Sequence, residues 1–127
     1  MTANETITHP GPHTVLVVED EEDLREMVRE ALEMSGYLVV TAADGHEALV
    51  KLSDIQNLCL VLLDLLMPGM NGWDFVAAMR KRSELASVPV VVQSSAPGRP
   101  PAGVARVLQK PVMFDQLISV VREYCAV

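Results

Sequence analysis

Val61-Leu62-Leu63-Asp64-Leu65-Leu66-Met67-Pro68-Gly69-Met70-Asn71-Gly72 is the stretch from which the fold can be read, because an apolar run closes in it on one carboxylate and then stops. Five of the seven residues from 58 to 64 are Leu or Val, which suits a strand buried on both faces. Asp64 then sits at its carboxyl end. Pro68 and Gly69 break any continuation, and Asn71 with Gly72 sets up a turn that can cap a following helix. A charged residue directly after a buried strand caps a helix, pairs with a base or does chemistry, and this stretch alone leaves those readings open.

On either side of it, strand and helix patterns alternate. Val15-Leu16-Val17-Val18 predicts a first buried strand running into Glu19-Asp20-Glu21-Glu22-Asp23. Leu24, Met27, Val28, Ala31 and Leu32 recur at helical spacing, giving an amphipathic helix over about 21–35 that ends at Ser35-Gly36. Tyr37 to Thr41 is a second strand, and Ala48, Leu49 and Leu52 mark a helix to about Asp54. After Asp64 come a helix through Trp73, Val76 and Met79 and a strand led by Val88-Pro89-Val90-Val91-Val92 and ending near Gln93-Ser94-Ser95. A short strand over 104–109 follows, and then a last helix over 111–124 with Phe114, Leu117, Ile118 and Val121 inward. The alternation predicts an α/β domain: an open, doubly wound parallel sheet covered on both faces.

Composition bounds the function. The chain has 127 residues, half of them hydrophobic, enough for one core without cross-links. Residues 1–12 carry no periodicity and read as a flexible leader before a domain over 13–127. A formal charge of −7 disfavours a nucleic-acid surface, and the Arg80-Lys81-Arg82 triplet reads as a helix end. With no apolar run near the ~18 residues of a membrane span and no signal peptide, a cytoplasmic location is the expectation. Cys59 reads as a buried residue and Cys125 as an incidental thiol rather than as a disulfide or metal pair.

In such sheets ligands bind beyond the carboxyl ends of the strands. Those ends carry Glu19-Asp20, Asp64, Ser94-Ser95 and Lys110-Pro111. Carrying these residues at its strand ends, the chain resembles the receiver domains of two-component response regulators over 13–125. Asp64 to Gly72 fits the segment that follows the family's phosphoacceptor aspartate, Glu19-Asp20 the acidic pair, Ser94 the hydroxyl position and Lys110-Pro111 the lysine-proline pair. The resemblance implies a flavodoxin-like five-stranded sheet in order 2-1-3-4-5 and phosphorylation of Asp64 by a histidine kinase or histidine phosphotransfer protein. It also implies signalling through a downstream protein rather than enzyme turnover.

The residue types permit that chemistry. A carboxylate attacking a phosphoryl group gives an acyl phosphate, and two negative reactants require a hard cation between them. Asp20, Asp64 and the Leu66 backbone carbonyl are the expected Mg²⁺ ligands, with Glu19 holding bound water and Mn²⁺ a substitute metal. Lys110 and Ser94 would meet phosphoryl oxygens, and Ser95 takes the role of Ser94 if the register slips by one.

The departures from the family pattern concern output. Lys110 follows Ser94 by only 16 residues, several fewer than usual, and the connector holds Pro97, Pro100, Pro101, Gly98 and Gly103. The helix expected there, the family's fourth, is therefore reduced or absent. Val107 stands where the family usually has a switching aromatic, and Leu66 and Ala96 are apolar where side chains influence the attacking water. That predicts an altered output face and slow dephosphorylation. Two alternatives remain: a receiver-like binding module that works without phosphorylation, and an aspartyl phosphatase. The latter wants a second acid at the position of Leu66.

Overall fold

The computed structural model describes residues 13–67, 69–95 and 98–125. The expected leader, Pro68, Ala96 and Pro97 lie outside the described residues. Five strands, β1 (Thr14–Val18), β2 (Leu38–Ala42), β3 (Leu58–Asp64), β4 (Val90–Ser94) and β5 (Arg106–Gln109), form one all-parallel sheet in the order β2-β1-β3-β4-β5. This is the flavodoxin-like arrangement. Among the described residues four α-helices cover it: α1 (Glu22–Met34), α2 (Gly45–Leu52), α3 (Gly72–Arg80) and α4 (Phe114–Tyr124).

Side-chain alternation divides the core. Leu16, Val18, Val61, Leu63, Val90 and Val92 point to the face packed by α2 and α3. Val15, Val17, Leu60, Leu62 and Val91 point to the face packed by α1 and α4. The central strands are buried on both sides, which explains why β1 and β3 read as unbroken apolar runs. Met67 and Met79 are core residues, and Met70 and Trp73 pack against the same cluster, as their apolar character suggests.

No helix occupies the described part of the β4–β5 connector, as its prolines and glycines predict; Gly98 and Gly103 adopt φ of +114° and +82°. Side chains of α3 hold this connector instead. The Trp73 indole N–H donates to the Arg99 carbonyl at 3.1 Å, and the Arg80 guanidinium donates to the carbonyls of Val88 at 2.9 Å and Gly103 at 3.2 Å. The basic triplet thus ends α3 but does more than meet its dipole. Arg82 reaches across to the Leu49 carbonyl of α2 at 3.1 Å.

Two sequence expectations are corrected. Phe114 is 40% exposed rather than inward: α4 begins there rather than at Pro111, and Phe114 lines an open cleft beside α1, whereas Leu117 and Val121 are buried and Ile118 packs against the same cluster as expected. The cysteines are also not independent: Cys59 and Cys125 form a disulfide, with Cα atoms 5.6 Å apart. The cause lies in the β1–β3 register, which runs Thr14↔Leu58 and then Val15↔Leu60, leaving Cys59 as an extra residue in a bulge. Strict alternation would place Cys59 on the α2/α3 face with Val61. The bulge turns it to the other face, against the cluster that holds Cys125.

Candidate functional site

The site forms where β1, β3, β4 and β5 end. Glu19 follows β1 and is buried; Asp20 beside it is exposed. Asp64 closes β3, with only 8% of its side chain exposed. One carboxylate oxygen from each of these three lies within 4.8 Å of the others. Lys110 follows β5, and its Nζ lies 3.0 Å from Glu19 Oε1 and 3.5 Å from Asp64 Oδ2. Residues far apart in sequence therefore meet in one cluster of three acids and one cation.

Local bonds fix these groups. Glu19 accepts from the Glu21 backbone N–H at 3.2 Å, while Arg25 donates to the Glu19 carbonyl at 2.9 Å. Asp64 Oδ1 accepts from the Leu66 N–H at 3.3 Å, so the turn after β3 orients its carboxylate. Asn71 caps α3 by accepting from the Asp74 N–H at 2.9 Å. Gly72 is required at the start of that helix: a Cβ there would lie 2.6 Å from Leu65 Cδ2 and 2.9 Å from Leu65 Cα. α3 can begin this close to the strand end only because position 72 has no side chain.

The electrostatics follow from crowding. Burial, then the charge of Glu19, pushes the Asp64 pKa up from 3.8 to about 6, with Lys110 and the Leu66 N–H partly offsetting it. For Lys110, burial pulls downward, but the hydrogen bond to Glu19 and the charges of Asp64 and Glu19 outweigh it, and the ammonium form is favoured. Hard oxygen donors converging on an excess of negative charge suit Mg²⁺, which takes few protein carboxylates and keeps several waters.

The remaining expected site residues fall as follows. Ser94 is buried at the end of β4, next to Gln93, which pairs with Asp64; its carbonyl accepts from the Lys110 N–H at 3.0 Å. Ser95 is exposed, and no described helix follows for either serine to cap. The Lys110–Pro111 peptide is cis. Leu66, two residues after Asp64, is exposed. Val107 is not part of the cluster; it pairs in register with Val92 on the α2/α3 face and is 47% exposed where no helix covers it. Sequence reasoning assigned Lys110 to a phosphoryl group and missed its ion pair with Glu19, which no local pattern signals across 91 residues. Beside Lys110, a cleft of about 340 Å³ opens between α1 and the start of α4, lined by Leu24, Val28, Val112 and Phe114 among others.

The response regulator receiver domain model matches residues 15–122. The chain belongs to that family. Its receiver fold superposes on the chemotaxis response regulator CheY4 of Vibrio cholerae with a TM-score of 0.81 at 30% identity, covering 90% of this chain and 99% of that one. The response regulator TrrA of Thermotoga maritima, solved in complex with Mg²⁺ and BeF, aligns with a TM-score of 0.76 at 29% identity, covering 88% and 98%. Among curated relatives, this receiver chain is 39% identical over 83 residues to YrkP of Bacillus subtilis (strain 168), described as an uncharacterized transcriptional regulatory protein. The aligned part is 65% of this chain and 35% of YrkP, so the receiver spans about a third of that relative's length. No helix among the described residues is long and apolar enough to cross a membrane.

Proposed function

We propose that this receiver domain accepts a phosphoryl group on Asp64, in a Mg²⁺-dependent reaction, from a phosphohistidine of a histidine kinase or histidine phosphotransfer protein. The observation that carries the reading is the convergence of Glu19, Asp20 and Asp64 with Lys110 at the carboxyl rim of the sheet. An Asp64 carboxylate oxygen forms the new P–O bond as the P–N bond to the donor imidazole breaks, and the imidazole keeps the nitrogen electron pair. With a pKa of about 6 the carboxyl is mostly ionised at pH 7 yet more basic than an ordinary aspartate.

Asp20, Asp64 and the Leu66 carbonyl would hold the ion, with Glu19 acting through water; when bound, Mg²⁺ neutralises charge between carboxylate and phosphoryl oxygens. Lys110 exchanges its contact with Glu19 and Asp64 for a phosphoryl oxygen, and the Ser94 hydroxyl donates to another. The apolar cleft beside Lys110 gives a donor protein a surface adjoining the reacting atoms. The domain turns over no external substrate.

Output follows a route other than an aromatic switch. Val107 has no ring to move, and the described part of the connector after Ser94 is tethered to α3 through Trp73 and Arg80 and holds no helix. A shift at Ser94 is therefore transmitted to the connector and the Trp73 environment, for a downstream protein partner to read.

Incubating the chain with acetyl phosphate and Mg²⁺ and measuring intact mass tests the assignment. One added phosphoryl group, absent in Asp64→Ala and without Mg²⁺, is expected. No addition to a folded native chain would favour a receiver-like module that binds without phosphorylation.

A further inference from the structure

Cys59 and Cys125 sit far from the acidic site. Five residues of extended chain, about 16 Å, separate Cys59 from Asp64 along β3. The β1–β3 bulge places Cys59, alone among the early residues of the strand, out of ladder register. It carries Cys59 from the α2/α3 face to the face on which α4 ends, and Leu58 the other way. Cys125 caps α4 there and is 1% exposed, whereas Cys59 is partly exposed.

The cross-link is not needed to form the core. The sheet is buried on both faces by two apolar clusters, and a domain of this size folds without covalent staples. Near Cys125, α4 is also held by Leu117, Val120 and Val121, and the Tyr37 hydroxyl donates to the Cys125 carbonyl at 2.9 Å. The fold therefore has noncovalent means to persist when the bond opens. The last turn of α4 would then lose its only covalent tie to β3 among the described residues.

We propose that Cys59 and Cys125 are a reversible thiol–disulfide pair whose oxidation state sets how firmly the C-terminal end of α4 is held to β3. The exchanging partner is a low-molecular-weight thiol and its disulfide. In the oxidising direction the Cys59 thiolate attacks the external disulfide, forming a mixed disulfide and releasing one small thiolate. The Cys125 thiolate then attacks the Cys59 sulfur, closing the protein bond and releasing the second. Two protein thiols lose two protons and two electrons, and one external disulfide becomes two thiols. In reverse, an external thiolate attacks at Cys59, the more exposed residue of the two. The inference stands apart from phosphoryl acceptance, since neither cysteine touches the acidic cluster.

The full chain is equilibrated, natively folded, in buffers of reduced and oxidised glutathione. Free thiols are trapped by alkylation in denaturant and counted by intact mass. Melting and amide hydrogen exchange over 113–125 are measured in each state. The expected result is no alkylation after oxidising buffer and two alkyl groups after reducing buffer. In the reduced state circular dichroism is retained, Tm falls by on the order of 10 °C for a loop of this length, and exchange accelerates at the end of α4. A Cys59→Ala/Cys125→Ala double variant should match the reduced protein and ignore the buffer; Cys59→Ser serves if the double variant folds poorly. Three results would overturn the proposal: thiols that stay free in oxidising buffer, a bond that opens only after unfolding, or identical melting and exchange in both states.

Discussion

Replacing Asp64 by Asn in the absence of divalent cations is expected to stabilise the fold at neutral pH. The native carboxyl gives up its proton near pH 6, against 3.8 for an ordinary aspartate. Native protein therefore binds more protons than the unfolded chain between about pH 4 and pH 6, and unfolding free energy falls as pH rises through that window and then levels off. At about 1.4 kcal/mol per pH unit, holding Asp64 ionised at pH 7 costs the native state up to about 3 kcal/mol. Lys110, 3.5 Å away, already offsets part of the crowding in that figure. Asn keeps the shape and an acceptor for the Leu66 N–H without the charge. Urea unfolding in chelator from pH 3.5 to 8 should show Asp64→Asn within about 0.5 kcal/mol of the native chain at the acid end, and about 1–3 kcal/mol more stable above pH 6 with an unchanged denaturant slope. A variant less stable than the native chain at pH 7, or a gap that does not change with pH, would refute the argument that burial and Glu19 repulsion strain this carboxylate.

Millimolar Mg²⁺ should raise the native Tm by several degrees, corresponding to about 1–3 kcal/mol of binding-linked stability, and the Asp20→Asn/Asp64→Asn double variant should lose that response in thermal melts. Gly72→Ala should cost about 1–3 kcal/mol by chemical denaturation, because the added methyl meets the Leu65 backbone as well as its flexible side chain. The phosphorylated domain should be long-lived in Mg²⁺ buffer, since the exposed Leu66 cannot orient an attacking water; a half-life of seconds by intact mass would contradict this. Trp73→Phe should remove the bond to the Arg99 carbonyl, costing about 1 kcal/mol in unfolding experiments and quickening hydrogen exchange in the connector beyond Gly98.

The sequence by itself determined the strands, their alternation with helices and the chemical content of the rim. Those depend on local physics: apolar runs too dense for any but a doubly covered sheet, Asn71-Gly72 at a helix start, and prolines that forbid a helix before β5. The tertiary structure alone decided which rim groups touch. Lys110 pairs most closely with Glu19 because the parallel order β1-β3-β4-β5 brings these strand ends to one rim, a relation with no trace in spacing. It also decided the cysteine pairing and the exposure of Phe114. Period-two alternation puts Cys59 on the wrong face, and a single bulged residue reverses it. Helical periodicity places Leu117, Ile118 and Val121 inward, but it leaves the start of α4 undetermined and does not show that the cleft beside α1 stays open at Phe114.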